Sequence, residues 1–318
     1  MENFRLKVFR AVAAECSFRR AAERLHLSQP AVSQQIRALE EEAGAKLFDR
    51  GKGRVRLTEA GTILLHYAHR GARLAEEALA ALEEARGETV GELRIGASMT
   101  VTQYVLPHML RGFLQQHPRV RLAVRSGNTE QIVAALTGGE IDLGIIEGPA
   151  SSRDVFRQRL FADRLVLIVG RRYPWPEKTP VPVQALTEVP LLMREHGSGS
   201  RRVVELALRR AGLRLRDLRI AMDLDSIVAI ISAVEAGLGA GFVSEWAVRK
   251  ELRLGTIRVI PVEGLDASRD FTLIRAIGPA PPGPAGAFER FALAEAQSAR
   301  PLQPPAQRAI RHSRQLKR

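Results

Sequence analysis

Two short runs of hydroxyl-bearing residues have the spacing of anion sites. Ser98, Thr100 and Thr102 follow the apolar stretch LRIGA, and His196-Gly-Ser198-Gly-Ser200-Arg201 follows PLLMRE. In both places a strand-like segment gives way to a helical one. Free N–H groups and the helix dipole favour negative charge at such starts. Glycines let the backbone approach a ligand, and hydroxyls add donors. Arg201 is a candidate clamp. Asn128 and Thr129 open the next helix, Glu147 ends DLGIIE, and Phe242 and Ser244 follow GLGAG, so these five are candidate wall residues. Ser and Thr at helix starts also serve simply as caps, and that reading stands beside the functional one.

A third set lies near the N-terminus. Gln29, Pro30, Ser33, Gln34 and Arg37 share one face of a helical run whose other face carries Val32, Ile36 and Leu39. Gln can pair with adenine and Arg with guanine in the major groove, and a proline can touch a thymine methyl. Arg50, Lys52 and Arg54, around the turn GKG, can reach phosphates or a neighbouring minor groove. Ser17 and Ser28 are helix caps that can also touch phosphate.

The elements that must hold these residues are legible in outline. Phe4, Leu6, Val8, Phe9, Val12 and Ala13 make a first helix. Ser17 caps a second over Phe18–Leu25, and Ser28 caps a third with Pro30 in its first turn. Two helices joined by the tight turn HLSQ, then LFDRGKGRVRLT with alternating Val55 and Leu57, read as a winged helix-turn-helix. Thr58 caps a long helix to about residue 88. Its seam of Leu64, Ala68, Gly71, Ala75, Ala78, Leu82 and Ala85 predicts pairing with a second chain; the plainer alternative lays the helix on its own domain. From Gly91 strands and helices alternate, which predicts α/β architecture with parallel strands in two paired lobes. A single helix is expected over residues 101–116, a strand at LVLIV, and a cap for the helix after Ser226 from Asp225. The boundaries that follow are 1–58 for the winged domain, 59–90 for the linker helix, 91–163 with 269–298 for lobe I, and 164–268 for lobe II. A basic tail, 299–318, is expected to be disordered.

Composition narrows the classes. The 318 residues carry 48 Lys and Arg against 35 Asp and Glu, a net charge of +13. Residues 1–60 hold 12 basic and 8 acidic side chains, and residues 300–318 hold 6 basic and none acidic. Arginine outnumbers lysine 42 to 6, a bias that genome composition produces as readily as phosphate binding. A nucleic-acid partner fits that balance without being required by it. One cysteine, Cys16, rules out an intramolecular disulfide framework and reads as buried and inert on its helix. The opening MENFRLKVFRAVAAE puts charge in every turn, and no stretch reaches the roughly 18 apolar residues of a membrane span. A reduced, cytoplasmic protein with no membrane partner is expected. His66 and His69 are three apart on the linker helix but have no supporting ligand cluster, so no metal is expected. GLGAGF and GSGSRR lack the order of nucleotide-binding loops, and no Ser, His and Asp set marks hydrolysis. No cofactor and no enzyme activity are expected.

SFRRAAERLHLSQPAVSQQIRALEEEAGAKLFDR, followed by RVRLTEAG, closely resembles the DNA-binding region of LysR-type transcriptional regulators. The order and spacing of the α/β portion to about residue 298 agree with that family. The resemblance implies a winged helix-turn-helix, a dimerising linker helix and a two-lobed effector domain similar to periplasmic solute-binding proteins. It implies homodimers or homotetramers on double-stranded promoter DNA, and it puts RNA polymerase among the candidate partners. It also implies that Ser98 and Ser198 line the ligand cleft. GNTEQI and MREHGSGSR look like the branch that includes regulators of cysteine biosynthesis and of carbon fixation. Arg19 and Arg20 depart from the small uncharged residue common at that place, and the 299–318 tail extends past the usual end. A small anionic effector is expected; a solute-binding transport protein would lack the helix-turn-helix, and a fused enzyme would show a catalytic set.

Overall fold

The computed structural model describes residues 3–49, 55–149, 154–176 and 179–298. Arg50, Lys52 and Arg54 and the 299–318 tail lie outside the described residues. The chain divides into two compact units: residues 1–90 with 138–140 and 281–283, and the remainder.

In the first unit, α1 (Phe4–Glu15), α2 (Phe18–Leu25) and α3 (Gln29–Ala43) pack around Val8, Phe9, Val12, Ala21, Val32 and Ile36. Local chemistry sets the helix starts. The Ser17 hydroxyl accepts from the Arg20 amide, and Ser28 accepts from Ala31 with Pro30 in the first turn. β1 (Phe48–Asp49) and β2 (Arg56–Leu57) form an antiparallel ribbon, and Phe48 stacks edgewise on Phe18. α4 (Glu59–Ala85) starts at Thr58, whose hydroxyl accepts from Gly61 and donates to the Lys46 carbonyl. Ala68 is buried and Leu64 half-buried against this same domain, so the first part of the expected seam packs at home. Ile63, Tyr67, Leu74 and Leu79, outside the seam, and Leu82, within it, stay exposed along α4. Cys16 corrects the expectation of burial. It stands one residue past α1 in the left-handed region, φ 47°, and is exposed.

The second unit is built on nine strands among the described residues, in the order β4-β3-β5-β11-β6-β9-β7-β8 with β10 also on β6. The strands are β3 (Gly91–Ser98), β4 (Val120–Gly127), β5 (Leu143–Glu147), β6 (Val155–Gly170), β7 (Pro190–Arg194), β8 (Arg219–Leu224), β9 (Ala240–Ser244), β10 (Ile257–Ile260) and β11 (Ser268–Ala276). The pairs β3–β4, β3–β5, β7–β8 and β7–β9 are parallel, but β6 and β11 run antiparallel to every neighbour. The all-parallel expectation fails there because these two strands carry the chain across between lobes instead of returning through a helix. β6 is also longer than the expected strand at LVLIV. Its first ten residues mix exposed Arg and Gln with buried Leu160 and Phe161 and pair with β11; its last six pair with β9 and β10.

The helices around this sheet are α5 (Leu106–Gln116), α6 (Thr129–Thr137), α7 (Gly199–Arg210), α8 (Ile227–Glu235), α9 (Arg249–Leu254) and α10 (Gly283–Gln297). The helix expected over 101–116 forms, opening with a π-helical turn, Val101–Val105, that runs directly into α5. Pro107 cannot donate an amide to the preceding turn, and the Thr102 hydroxyl donates to the carbonyls of Ala97 and Ser98, 3.0 and 3.1 Å away. Ser226, not Asp225, caps α8 by accepting from Ala229.

Glu40 ties α3 to the ribbon. It is 4% exposed, and its Oε1 accepts from the amides of Leu47 (2.9 Å) and Phe48 (3.4 Å) while Oε2 pairs with Lys46 (3.1 Å). Burial alone would raise this carboxyl, but those amides and the Lys46 ammonium outweigh it and hold the pKa below its usual value. A carboxylate depressed on folding adds stability above its unfolded pKa and loses it as pH falls through the folded one. Glu40→Ala leaves two buried amides without an acceptor and should cost about 1–3 kcal/mol in urea denaturation at pH 7. The difference from wild type should shrink as the pH is lowered through the carboxylate range.

Candidate functional site

The exposed face of α3 holds the expected base-reading set. Gln29, Pro30, Gln34 and Arg37 are exposed and Ser33 is half-buried, while Val32, Ile36, Leu39 and Glu40 are buried beneath them. Residues 30, 33, 34 and 37 recur at helical spacing on one side, so a groove would meet them together. Ser28 is exposed and already caps α3. Arg20 leans onto the Glu15 carbonyl, and Arg19 lies near Glu23, 3.7 Å away on the exposed side of α2.

The second site forms where the two halves of the large sheet meet, and its centre is a residue absent from the sequence reading. Arg269, on β11, is 1% exposed at its side chain. Its Nε donates to Asp163 at 2.7 Å, directly across the β6–β11 ladder. One terminal nitrogen donates to the Ser200 hydroxyl at 2.9 Å; the other lies 3.4 Å from Thr100 Oγ1 and 3.0 Å from Glu147 Oε2. The Ser200 hydroxyl donates in turn to Glu147 Oε1, 3.1 Å away, and Ser244 donates to Asp163 at 2.8 Å. Thr129 donates to the Glu147 carbonyl at 3.0 Å. Five of the sequence-selected residues, Thr100, Thr129, Glu147, Ser200 and Ser244, thus meet around one guanidinium.

The approach is close. A Cβ on Gly199 would collide with the Glu147 carbonyl, so the glycine lets the start of α7 lie against the end of β5. Burial opposes the charge on Arg269, but Glu147 and Asp163 overcome it and its pKa rises. Burial pushes the Asp163 carboxyl up, against the pull of Arg269 and Ser244, and the charge of Glu147 pushes the same way. One cation therefore faces two buried carboxylates.

Ser98 and Ser198 make no capping bond. Both are buried, at 1% and 3% exposure, and neither hydroxyl has a hydrogen-bond partner. Ser198 stands at the N-cap of α7 without bonding its amides. Buried hydroxyls of this kind call for a partner. A cavity of about 610 Å³ opens between α6 and α7, lined by Thr129, Val133, Ser198, Arg201, Arg202 and Leu206 among others. Ser98, Thr100 and Thr102 do not line it; Arg269 links the two hydroxyl runs instead.

Four of the sequence-selected residues, Phe242, Arg201, Asn128 and Thr102, are engaged within the protein. Phe242 is 4% exposed inside the core that surrounds β7 and β9, because the odd-numbered side chains of β9 point the other way. Arg201 donates to Glu205 (2.8 Å), the Arg194 carbonyl (2.7 Å) and Asp223, which anchors α7 to β7 and β8 at the wall of the cavity. Asn128 and Gln131 cap α6 reciprocally, at 2.9 and 3.0 Å. Thr102 is spent on the π-helical turn. Arg269→Met should strand both carboxylates and cost about 3–5 kcal/mol in urea denaturation, and adding Asp163→Asn should recover part of that loss.

Residues 4–62 match the bacterial regulatory helix-turn-helix protein of the lysR family, and residues 86–297 match the LysR substrate binding domain. The chain is 35% identical over 272 residues to a probable RuBisCO transcriptional regulator of Synechocystis sp. (strain ATCC 27184 / PCC 6803 / Kazusa), covering 85% of this chain and 79% of that protein. Full-length CbnR complexed with its target DNA superposes with a TM-score of 0.67 at 26% identity, covering 93% of this chain and 100% of that one. The Synechocystis PCC6803 CcmR regulatory domain in complex with 2-PG superposes with a TM-score of 0.61 at 25% identity, covering 66% of this chain and 99% of that one. With both of its domain types matched along the sequence, the chain belongs to the LysR family of bacterial transcriptional regulators.

Proposed function

We propose that this regulator reads promoter DNA with Gln29, Pro30, Ser33, Gln34 and Arg37, supported by Ser28 and by Arg50, Lys52 and Arg54, and that a small anion bound by Ser98 and Ser198 controls it. The observation that carries the effector half is the pair of buried, unpartnered hydroxyls, each two residues along the chain from a hydroxyl that meets Arg269. A ligand accepting from both would supply what the protein leaves unmade. Thr100, Thr129, Ser200 and Ser244 position that seat through Arg269, Glu147 and Asp163. CcmR supplies the first ligand to try, 2-PG.

The division we adopt is 1–58 for DNA, 59–90 for the linker helix, 91–163 with 269–298 for lobe I and 164–268 for lobe II. The exposed Ile63, Tyr67, Leu74, Leu79 and Leu82 of α4 are what pairing with a second chain would cover. Among the described residues no helix is long and apolar enough to cross a membrane. We place the protein in the cytoplasm beside the DNA it binds, and include contact with RNA polymerase in the proposal, since a regulator seated at a promoter neighbours it.

A crossed experiment tests the division of labour. Gln34→Ala and Arg37→Ala should each weaken binding to an operator fragment selected from genomic DNA by roughly tenfold or more, measured by fluorescence anisotropy, with 2-PG binding unchanged. Ser98→Ala and Ser198→Ala should do the reverse. At about 100 times its Kd a ligand adds about 2.7 kcal/mol of stability, so a thermal-shift titration reads the ligand arm directly. Loss of both activities in either pair would contradict separate sites.

A further inference from the structure

The cluster around Arg269 holds its two carboxylates in different ways. Asp163 accepts an aligned 2.7 Å bond from Nε and a second from Ser244, and it sits on a strand paired to the strand of Arg269. Glu147 is the looser partner. Its Oε2 lies 3.0 Å from the guanidinium without an aligned hydrogen bond, and its Oε1 takes the Ser200 hydroxyl. Ser200 is in the first turn of α7, a helix of 12 residues. The Glu147 carboxylate therefore stands where a helix N-terminus, a hydroxyl and a buried guanidinium all favour an anion. Two residues from the groups that touch Arg269, the hydroxyls of Ser98 and Ser198 are buried and unpartnered.

We propose that Glu147 is a tethered competitor for the effector: its carboxylate takes the seat at Arg269 and the start of α7 that the anionic group of the ligand occupies when bound. The inference rests on the cleft reading given above. An anion entering beside Glu147 meets a like charge at close range away from water, where repulsion is strong. It binds by displacing that carboxylate, and the hydroxyls of Ser98 and Ser198 give it contacts that Glu147 lacks. Asp163 stays, because one buried cation still needs one carboxylate. The cost of displacement is a threshold. Doubly charged groups such as phosphate pass it, and singly charged ones such as acetate do not.

Isothermal titration of the full-length protein with inorganic phosphate, 2-PG and acetate tests this. Glu147→Gln keeps the volume and an acceptor for Ser200 but removes the charge. It should bind phosphate and 2-PG at least about tenfold tighter than wild type, and acetate binding should become measurable. If the Glu147→Gln protein does not melt cooperatively, Glu147→Asp replaces it: the shorter side chain cannot span Ser200 and Arg269 together, and tighter binding is again expected. Unchanged or weaker binding in a folded Glu147 variant, with Ser198→Ala still weakening it, overturns the competition and leaves the cleft reading standing. If none of these variants alters binding, or no probe binds any of them, both fall.

Discussion

The large unit depends on how one buried cation is neutralised. Arg269 sits on the strand that returns from lobe II, faces Asp163 on the strand that enters it, and touches Thr100 and Glu147 on one side and Ser200 on the other. A guanidinium this deep is tolerable only with carboxylates and aligned donors around it, so each of these residues is held in place by the same requirement. Because the partners come from both lobes, whatever changes the charge at this point also changes how the lobes meet.

The DNA-reading half follows a different constraint. α3 must bury one stripe and leave another open, and it must present that open stripe at a fixed angle. Burial of Val32, Ile36 and Leu39 meets the first demand; Glu40, bonded to the amides that open the ribbon, meets the second. α4 is then locked to the same domain through Thr58, Gly61 and Ala68, which leaves its outer apolar residues available to another chain.

What the sequence discloses follows the range of the interactions involved. The caps Ser17, Ser28 and Thr58 bond amides three residues away, so residue type and position suffice to find them. The face of α3 is legible for the same reason, since helical spacing alone sorts its residues. Arg269 was not legible: its partners lie 69, 106 and 169 residues away, and RDFTLIRAI reads as an ordinary strand. The same distance hides what holds Arg201 and Phe242. One is drawn to Asp223 and the Arg194 carbonyl, and the other follows the alternation of β9 into the core. The start of β6 is not legible because a strand with arginines on one face carries no apolar run.

A crystal structure of the full-length protein grown with 2-PG tests the central claim most directly. The account predicts the ligand at Ser98, Ser198 and the first turn of α7, with Glu147 withdrawn from Ser200 and Asp163 still on Arg269. Ligand bound elsewhere, with the Ser200–Glu147–Arg269 contacts intact, would contradict it.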